Sequence, residues 1–87
     1  MLEKKVKEAI EISQAFGWGV INHIIDALYY ADEKVELAKE QLKKAEKSLK
    51  KLEELCKNSQ TLDQNKLKKV IEAAKAAYNF AASMIEE

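Results

Sequence analysis

The fold of this chain depends on residues 21–56, which read INHIIDALYYADEKVELAKEQLKKAEKSLKKLEELC. Apolar residues recur in this stretch at alternating spacings of three and four, and neither proline nor glycine interrupts them. This heptad pattern is typical of a long helix that packs against another helix, as in a coiled coil. The recurring residues are Ile21, Ile24, Leu28, Ala31, Val35, Ala38, Leu42, Ala45, Leu49, Leu52 and Cys56.

The middle of this pattern suggests how the helix associates. Ala31, Ala38 and Ala45 are seven residues apart, and their small side chains allow a partner backbone to come close. The pattern is nearly palindromic about Ala38, which suits pairing with an antiparallel copy across a two-fold axis. The alternative is that the chain's own helices fill it. The candidate helix-packing or interface seam comprises Ile24, Leu28, Ala31, Val35, Ala38, Leu42, Ala45, Leu49 and Leu52.

The composition indicates an all-α protein, because the 87 residues include no proline, two glycines and many strong helix formers. A domain of this size buries only about 60–65% of its unfolded surface, and small domains often need disulfides, metals or oligomerisation. The single cysteine excludes an internal disulfide, and one histidine with one cysteine argues against a structural zinc site. We therefore expect dimerisation to complete a helical bundle.

We take residues 1–87 as one helical domain. Local sequence signals divide this domain into helices and turns. Gly17 and Gly19 each cost a helix about 1 kcal/mol relative to alanine, and the apolar spacing shifts at the same point. Asn58 suits a left-handed helix end, and Thr61 with Gln64 resembles a capping box. The predicted elements are helix 1 over about residues 2–16, a turn at 17–19, helix 2 over about 20–57, a turn at 58–61 and helix 3 over about 62–86.

Two arrangements of these helices are open. In the first, helix 2 is a long central helix, and helices 1 and 3 fold back beside its two halves as helical hairpins. The rival is a three-helix bundle from which the tail of helix 2 protrudes. A kink instead of a turn at Gly17–Gly19 would give one bent helix over residues 2–57.

Four aromatic side chains are candidates for contact with a partner protein. Trp18 stands between two glycines, and tryptophan is enriched in binding hot spots. The alternative for Trp18 is that it closes the end of the protein's own core. Helix 3 has an apolar face too wide for one neighbouring helix to bury. The candidate partner-facing aromatics are Trp18, Tyr29, Tyr78 and Phe80.

Patterns for catalysis and cofactor binding are missing from the sequence. His23 and Asp26 share a helical face but supply too few ligands for a metal site. Cys56 occupies a seam position and is expected to be a small buried apolar residue. No phosphate-binding glycine loop occurs. We expect no enzyme activity and no cofactor or metal, and we expect neither a signal peptide nor a membrane span, which favours a cytoplasmic protein.

Charge is balanced overall but unevenly distributed. Fifteen lysines and fifteen acidic residues cancel, whereas residues 43–69 contain nine lysines and four acidic residues. This lysine-rich hairpin end is a candidate for binding nucleic acid or an anionic surface. The absence of arginine and of interleaved aromatic residues argues against nucleic acid. The candidate basic patch consists of Lys43, Lys44, Lys47, Lys50 and Lys51.

In general outline, such short helical hairpins resemble small secretion chaperones, adaptor subunits and phage-encoded inhibitors. No motif ties the chain to one of these classes, so the resemblance implies no site residues. The function we expect is a non-enzymatic protein–protein interaction module that acts through helix–helix packing. Its expected partner is a second copy of itself or another helical protein. The alternative is binding of nucleic acid or an anionic surface through residues 43–69.

Overall fold

The computed structural model of the protein describes residues 2–86. All regular structure in this range is helical, which confirms the all-α fold class. Three helices pack against one another, and the first of them contains a π-helical segment. The elements are α1 (Leu2–Gln14), the π-helical segment (Ala15–Ile21), α2 (Asn22–Tyr30), α3 (Val35–Asn58) and α4 (Gln64–Ile85).

The first three elements run on without a break, and we call them together the N-terminal helix (residues 2–30). The chain reverses after residue 30 and again after residue 58, so α3 is antiparallel to both the N-terminal helix and α4. The extents of 48 × 19 × 14 Å describe an elongated bundle. Its radius of gyration is 14.0 Å, against about 12 Å for a compact domain of this length.

The predicted single helix over residues 20–57 is wrong, because the chain reverses at residues 31–34. Lys34 leaves the helical region with φ −135° and ψ 68°, while its N–H donates to the Tyr30 carbonyl at 2.8 Å. The reversal folds α2 back against α3. Ala27 of α2 and Ala38 of α3 are both fully buried. Helices 1 and 3 therefore do not occupy two halves of one central helix.

The turn predicted at residues 17–19 is also wrong, because the helix continues there as a π-helix. The Asn22 N–H donates to the Gly17 carbonyl, five residues back, which is the hydrogen-bond pattern of a π-helix. The one-residue shift in the apolar spacing, interpreted from sequence as a break, is the extra residue of this wider turn. It brings Val20 into the core, where its side chain is fully buried.

Gly19 sets the distance between the N-terminal helix and α3. A Cβ atom at Gly19 would lie 2.9 Å from the Ser48 Cβ atom and 3.0 Å from its Oγ atom. No such neighbour restricts Gly17, where a Cβ atom would meet nothing within 4 Å. Only Gly19 is therefore required by packing.

One apolar core runs along the bundle between the three helices. Its largest fully buried side chains are Leu52, Val20 and Cys56. The buried residues of α3 keep the four–three spacing of the heptad pattern, which explains why that half of the pattern is so regular. The core residues are Ile12, Val20, Ile24, Ala27, Leu42, Ala45, Leu49, Leu52, Cys56, Leu67, Ala74 and Ala81.

The connection between α3 and α4 is built differently from the predicted capping box. Asp63 is the N-cap of α4, and its side chain accepts the Asn65 N–H at 2.8 Å. Gln64 instead donates through Nε2 to the Cys56 carbonyl at 3.1 Å. Asn58 is the last residue of α3 and not a left-handed cap, since no described non-glycine residue has a positive φ.

A carboxylate from α1 holds this connection in place. Glu8 accepts hydrogen bonds from the hydroxyl groups of Ser59, at 2.8 Å, and Thr61, at 2.5 Å. It also accepts the backbone N–H groups of Gln60, at 3.3 Å, and Thr61, at 3.1 Å. We call this arrangement the Glu8 clamp. The hydroxyl of Thr61, followed by that of Ser59, does most to lower the pKa of Glu8 from 4.5 to about 2.

Alanine substitutions at the two glycines should distinguish the effect of helix propensity on stability from the effect of packing. We expect Gly17→Ala to stabilise the dilute protein by up to about 1 kcal/mol, because alanine is the better helix former. Gly19→Ala should be about 1–3 kcal/mol less stable than Gly17→Ala, because its methyl group overpacks against Ser48. Chemical denaturation measures both. Equal stability of the two variants would show that the Gly19–Ser48 approach is not a constraint.

The Glu8 clamp should make stability depend on pH in a defined window. Because folding lowers the pKa of Glu8 from 4.5 to about 2, its stabilisation is present above pH 4.5 and is lost as the pH falls toward 2. We expect the melting-temperature gap between the native protein and Glu8→Gln to close across that window. Glu72→Gln, at an exposed position of α4, is the matched control. An unchanged gap from pH 6 to 2 would contradict the clamp.

Candidate interaction surface

Several large apolar side chains of the bundle are exposed to solvent. Trp18 is 73% exposed and Tyr29 is 81% exposed, although both are large aromatic residues. Isolated exposed apolar residues are ordinary, whereas a contiguous apolar patch marks a site of interaction. The exposed large apolar residues are Val6, Ile10, Trp18, Ile25, Tyr29, Val35, Leu37, Phe80 and Met84.

Five of them follow the N-terminal helix along one side, and we call them the apolar stripe: Val6, Ile10, Trp18, Ile25 and Tyr29. Helical geometry places the stripe away from α3. The side facing α3 is defined by Gly19, next to Ser48, and by His23, whose Nδ1 atom donates to Gln41 Oε1 at 2.8 Å. Ile25 and Tyr29 lie two and six residues after His23. Because a helix turns by about 100° per residue, both side chains project away from α3.

Two further exposed apolar residues belong to α4. Tyr78 and Lys75 define the side of α4 that faces α3. The Tyr78 hydroxyl donates to Glu46 at 3.2 Å, and the Lys75 Nζ atom lies 3.9 Å from the Glu53 Oε2 atom. Helical geometry places Phe80 and Met84 on the opposite flank of α4, away from α3. They are 60% and 52% exposed. Together with the apolar stripe they form what we call the apolar face.

The four aromatic residues singled out in the sequence differ in their surroundings. Trp18, Tyr29 and Phe80 are exposed and belong to the apolar face. The alternative in which Trp18 closes the core is wrong. Tyr78 is half-buried on the other flank of α4, and burial together with the Glu46 charge raises its pKa.

The candidate seam lies mostly inside the bundle. Ile24, Ala38, Leu42, Ala45, Leu49 and Leu52 are buried, Leu28 and Ala31 are half-buried, and Val35 is exposed. The chain's own helices therefore occupy the seam. The buried seam residues are not accessible to a second copy while the bundle is intact.

Sequence reasoning missed Val6, Ile10 and Met84 as candidates for the surface. The available signal was that helix 1 has apolar residues on more than one side, with Val6 and Ile10 spaced by four and Ile12 off that row. Assigning helix 1 to one half of a long helix 2 gave Val6 and Ile10 an intramolecular partner. The actual bundle leaves them uncovered.

The candidate basic patch lies on the exposed side of α3. Lys43, Lys44, Lys47, Lys50 and Lys51 are all exposed. Lys50 forms an ion pair with Glu46 at 3.6 Å within the helix. Such exposed pairs contribute little to stability, so these lysines act mainly through their net charge.

The side chains considered as metal ligands or reactive groups take part in the hydrogen bonding and packing of the bundle. His23 bonds to Gln41 and is half-buried. Cys56 is buried, and burial raises the pKa of its thiol. Residues 2–86 contain no group of three or more histidine, cysteine, aspartate or glutamate side chains placed to hold a metal ion. Among the same residues, no helix has the length and apolar character needed to cross a membrane.

Comparison with known proteins adds no family assignment. Neither protein-family models nor curated proteins nor solved structures match this chain significantly.

The exposure of Trp18 predicts that substituting it changes stability far less than substituting a core residue. We expect Trp18→Ala to change the free energy of unfolding by less than about 0.5 kcal/mol, because the side chain lies in solvent. Leu52→Ala should cost about 2–5 kcal/mol, because it opens a cavity in the fully buried core. Urea denaturation of the dilute protein measures both. A large loss from Trp18→Ala would mean that the indole is part of the core.

Proposed function

We propose that this protein is a non-enzymatic interaction module that binds another helical protein surface through its apolar face. The observation that carries the proposal is the exposure of large apolar side chains along one side of the N-terminal helix, including Trp18 at 73% and Tyr29 at 81%. An amphipathic helix with an uncovered apolar side is a surface on which a further helix can dock.

The energetics favour docking over solvent exposure. At about 150–250 Å² per aromatic residue, Trp18 and Tyr29 leave roughly 300 Å² of ring surface in water. Burial is worth about 25 cal/mol per Å², so covering these two residues alone provides several kcal/mol before the costs of association. Tryptophan and tyrosine are also the residues that most often dominate binding energy.

A cytoplasmic setting belongs to the same proposal. Cys56 is the single cysteine and is enclosed by the core. It serves there as an apolar residue, which is compatible with a reducing compartment.

The alternative function, binding of nucleic acid or an anionic surface through the lysine-rich hairpin end, uses the opposite region of the molecule. Its lysines are exposed on α3. The two functions differ in their response to salt. Apolar docking should change little between 50 and 300 mM salt, whereas binding through lysines should weaken steeply.

Affinity capture with matched variants tests the proposed function. The native protein is compared with Ile10→Glu/Ile25→Glu, which puts charges into the apolar face, and with Lys43→Glu/Lys47→Glu, which alters the basic patch. We expect partners, including the chain itself, to be retained by the native protein and the lysine variant but lost from the isoleucine variant. All four positions are exposed, so each variant should keep the native helical circular dichroism.

The opposite pattern would overturn the proposal. Capture that survives Ile10→Glu/Ile25→Glu, but disappears with Lys43→Glu/Lys47→Glu and with added salt, would assign binding to the basic patch. The fluorescence of the single tryptophan gives a second readout. When a partner covers Trp18, its emission should shift to shorter wavelength, and binding through α3 should leave it unchanged.

A further inference from the structure

We propose that the occupant of the apolar face is a second copy of this chain, bound antiparallel, with the two-fold axis beside the Gly17–Trp18 peptide. This inference rests on the proposed function, because it names the partner of the same surface. It uses a surface that is accessible in the folded bundle, unlike the buried seam around Ala38. Three independent features of the N-terminal helix support it.

The first feature is symmetry in the positions of the stripe residues. Val6 lies twelve residues before Trp18, and Tyr29 lies twelve residues after Gly17. Ile10 and Ile25 are related in the same way at a distance of eight residues. An antiparallel copy therefore sets Val6 against Tyr29 and Ile10 against Ile25 at both ends of the contact. Such self-complementarity is what an isologous two-fold interface requires.

The second feature is the pairing of a large residue with an open position at the centre. Trp18 is 73% exposed, whereas its neighbour Gly17 has open space where a side chain would be. Antiparallel pairing brings the indole of each copy next to Gly17 of the other. The absence of a side chain there lets the aromatic ring lie close to the partner backbone, as in a hot-spot pocket.

The third feature is charge. Residues 3–7 contain three lysines and one glutamate, whereas residues 26–33 contain three acidic residues and no lysine. Antiparallel pairing sets the basic start of one N-terminal helix near Asp26 and near the acidic residues Asp32 and Glu33 of the other copy's reversal, at both ends of the interface. Parallel pairing would set like charges together. Charge of this kind selects orientation more than it adds affinity.

The contact extends along the whole apolar stripe. The copies overlap from residue 6 to residue 29, which is roughly 35 Å of helix at about 1.5 Å per residue. The first turns of α1 from one copy then lie along α2 of the other. The five exposed apolar side chains of the stripe from each chain are covered in one contact.

The solution mass is the first test, measured by light scattering on a sizing column over a concentration series. We expect the mass to rise from the chain mass of 9.9 kDa to twice that value. Ile10→Glu/Ile25→Glu should weaken dimerisation by more than about tenfold, because each charge would be buried without a partner. Leu37→Glu is the matched control, since Leu37 is exposed on α3 outside the stripe, and should leave dimerisation unchanged.

Disulfide trapping tests the orientation, with Cys56→Ala to remove the natural thiol. Ile10→Cys and Ile25→Cys should not form disulfides separately but should do so when the two variants are mixed. Rapid self-cross-linking of Ile10→Cys would show a parallel pair and overturn the proposal.

Charge reversal gives an independent check. Lys5→Glu/Lys7→Glu should weaken the dimer, and adding Asp32→Lys/Glu33→Lys to the same chain should restore it. Failure of the combined variant to recover would contradict the antiparallel register.

The outcomes separate this inference from the proposed function. A native protein that remains a 9.9 kDa monomer at millimolar concentration overturns self-pairing. If affinity capture still depends on Ile10 and Ile25 in that case, the apolar face binds a different helical protein and the proposed function stands. If capture is also independent of these residues, both fail.

Discussion

The bundle depends on a constraint within the N-terminal helix: Ile12, Val20 and Ile24 must all face one core, although multiples of four residues separate them. In a regular α-helix each residue turns by about 100°, so the twelve residues from Ile12 to Ile24 would leave their side chains about 120° apart. The wider turns of the π-helical segment remove this offset. Both α3 and α4 pack on the face that results. The same adjustment keeps the opposite side of the helix in register, so Val6, Ile10, Ile25 and Tyr29 form a single exposed stripe.

Sequence reasoning found the helical class and the core of α3 because those depend on local and periodic signals. The heptad residues from Ala38 to Cys56 are buried at the spacing that the pattern predicts. The reversal at residues 31–34 gave no comparable signal, since it contains neither glycine nor proline and preserves the spacing from Ala31 to Val35. The glycines gave the opposite error, because they suggested a turn at residues 17–19, where the helix continues. Gly19 allows the N-terminal helix to come close to Ser48. The two residues are distant in sequence, so local sequence patterns do not predict this contact.

The candidate surface was only partly predictable for a related reason. Trp18, Tyr29 and Phe80 were identifiable as aromatic residues beside a crowded core, but exposure depends on which helices neighbour them. The seam of the long heptad pattern was equally suited to a partner chain or to the chain itself, and the reversal after Tyr30 decides in favour of the chain. What remained uncovered was the less regular row of apolar residues on the N-terminal helix. Its spacing is interrupted by the π-helical segment, so a search for strict heptads does not detect it.

The Glu8 clamp has a consequence for the order in which the molecule comes apart. The residues that it joins are more than fifty positions apart in sequence, and α1 has few other neighbours beyond the end of α3. The α3–α4 hairpin and α2 share most of the core, so they form one cooperative unit to which the first turns of α1 are attached from outside. We therefore expect amide hydrogens at the start of α1 to exchange with solvent through local opening, and those around Leu52 to exchange only when the whole bundle unfolds. Val6 and Ile10 would then belong to the part of the molecule that opens first.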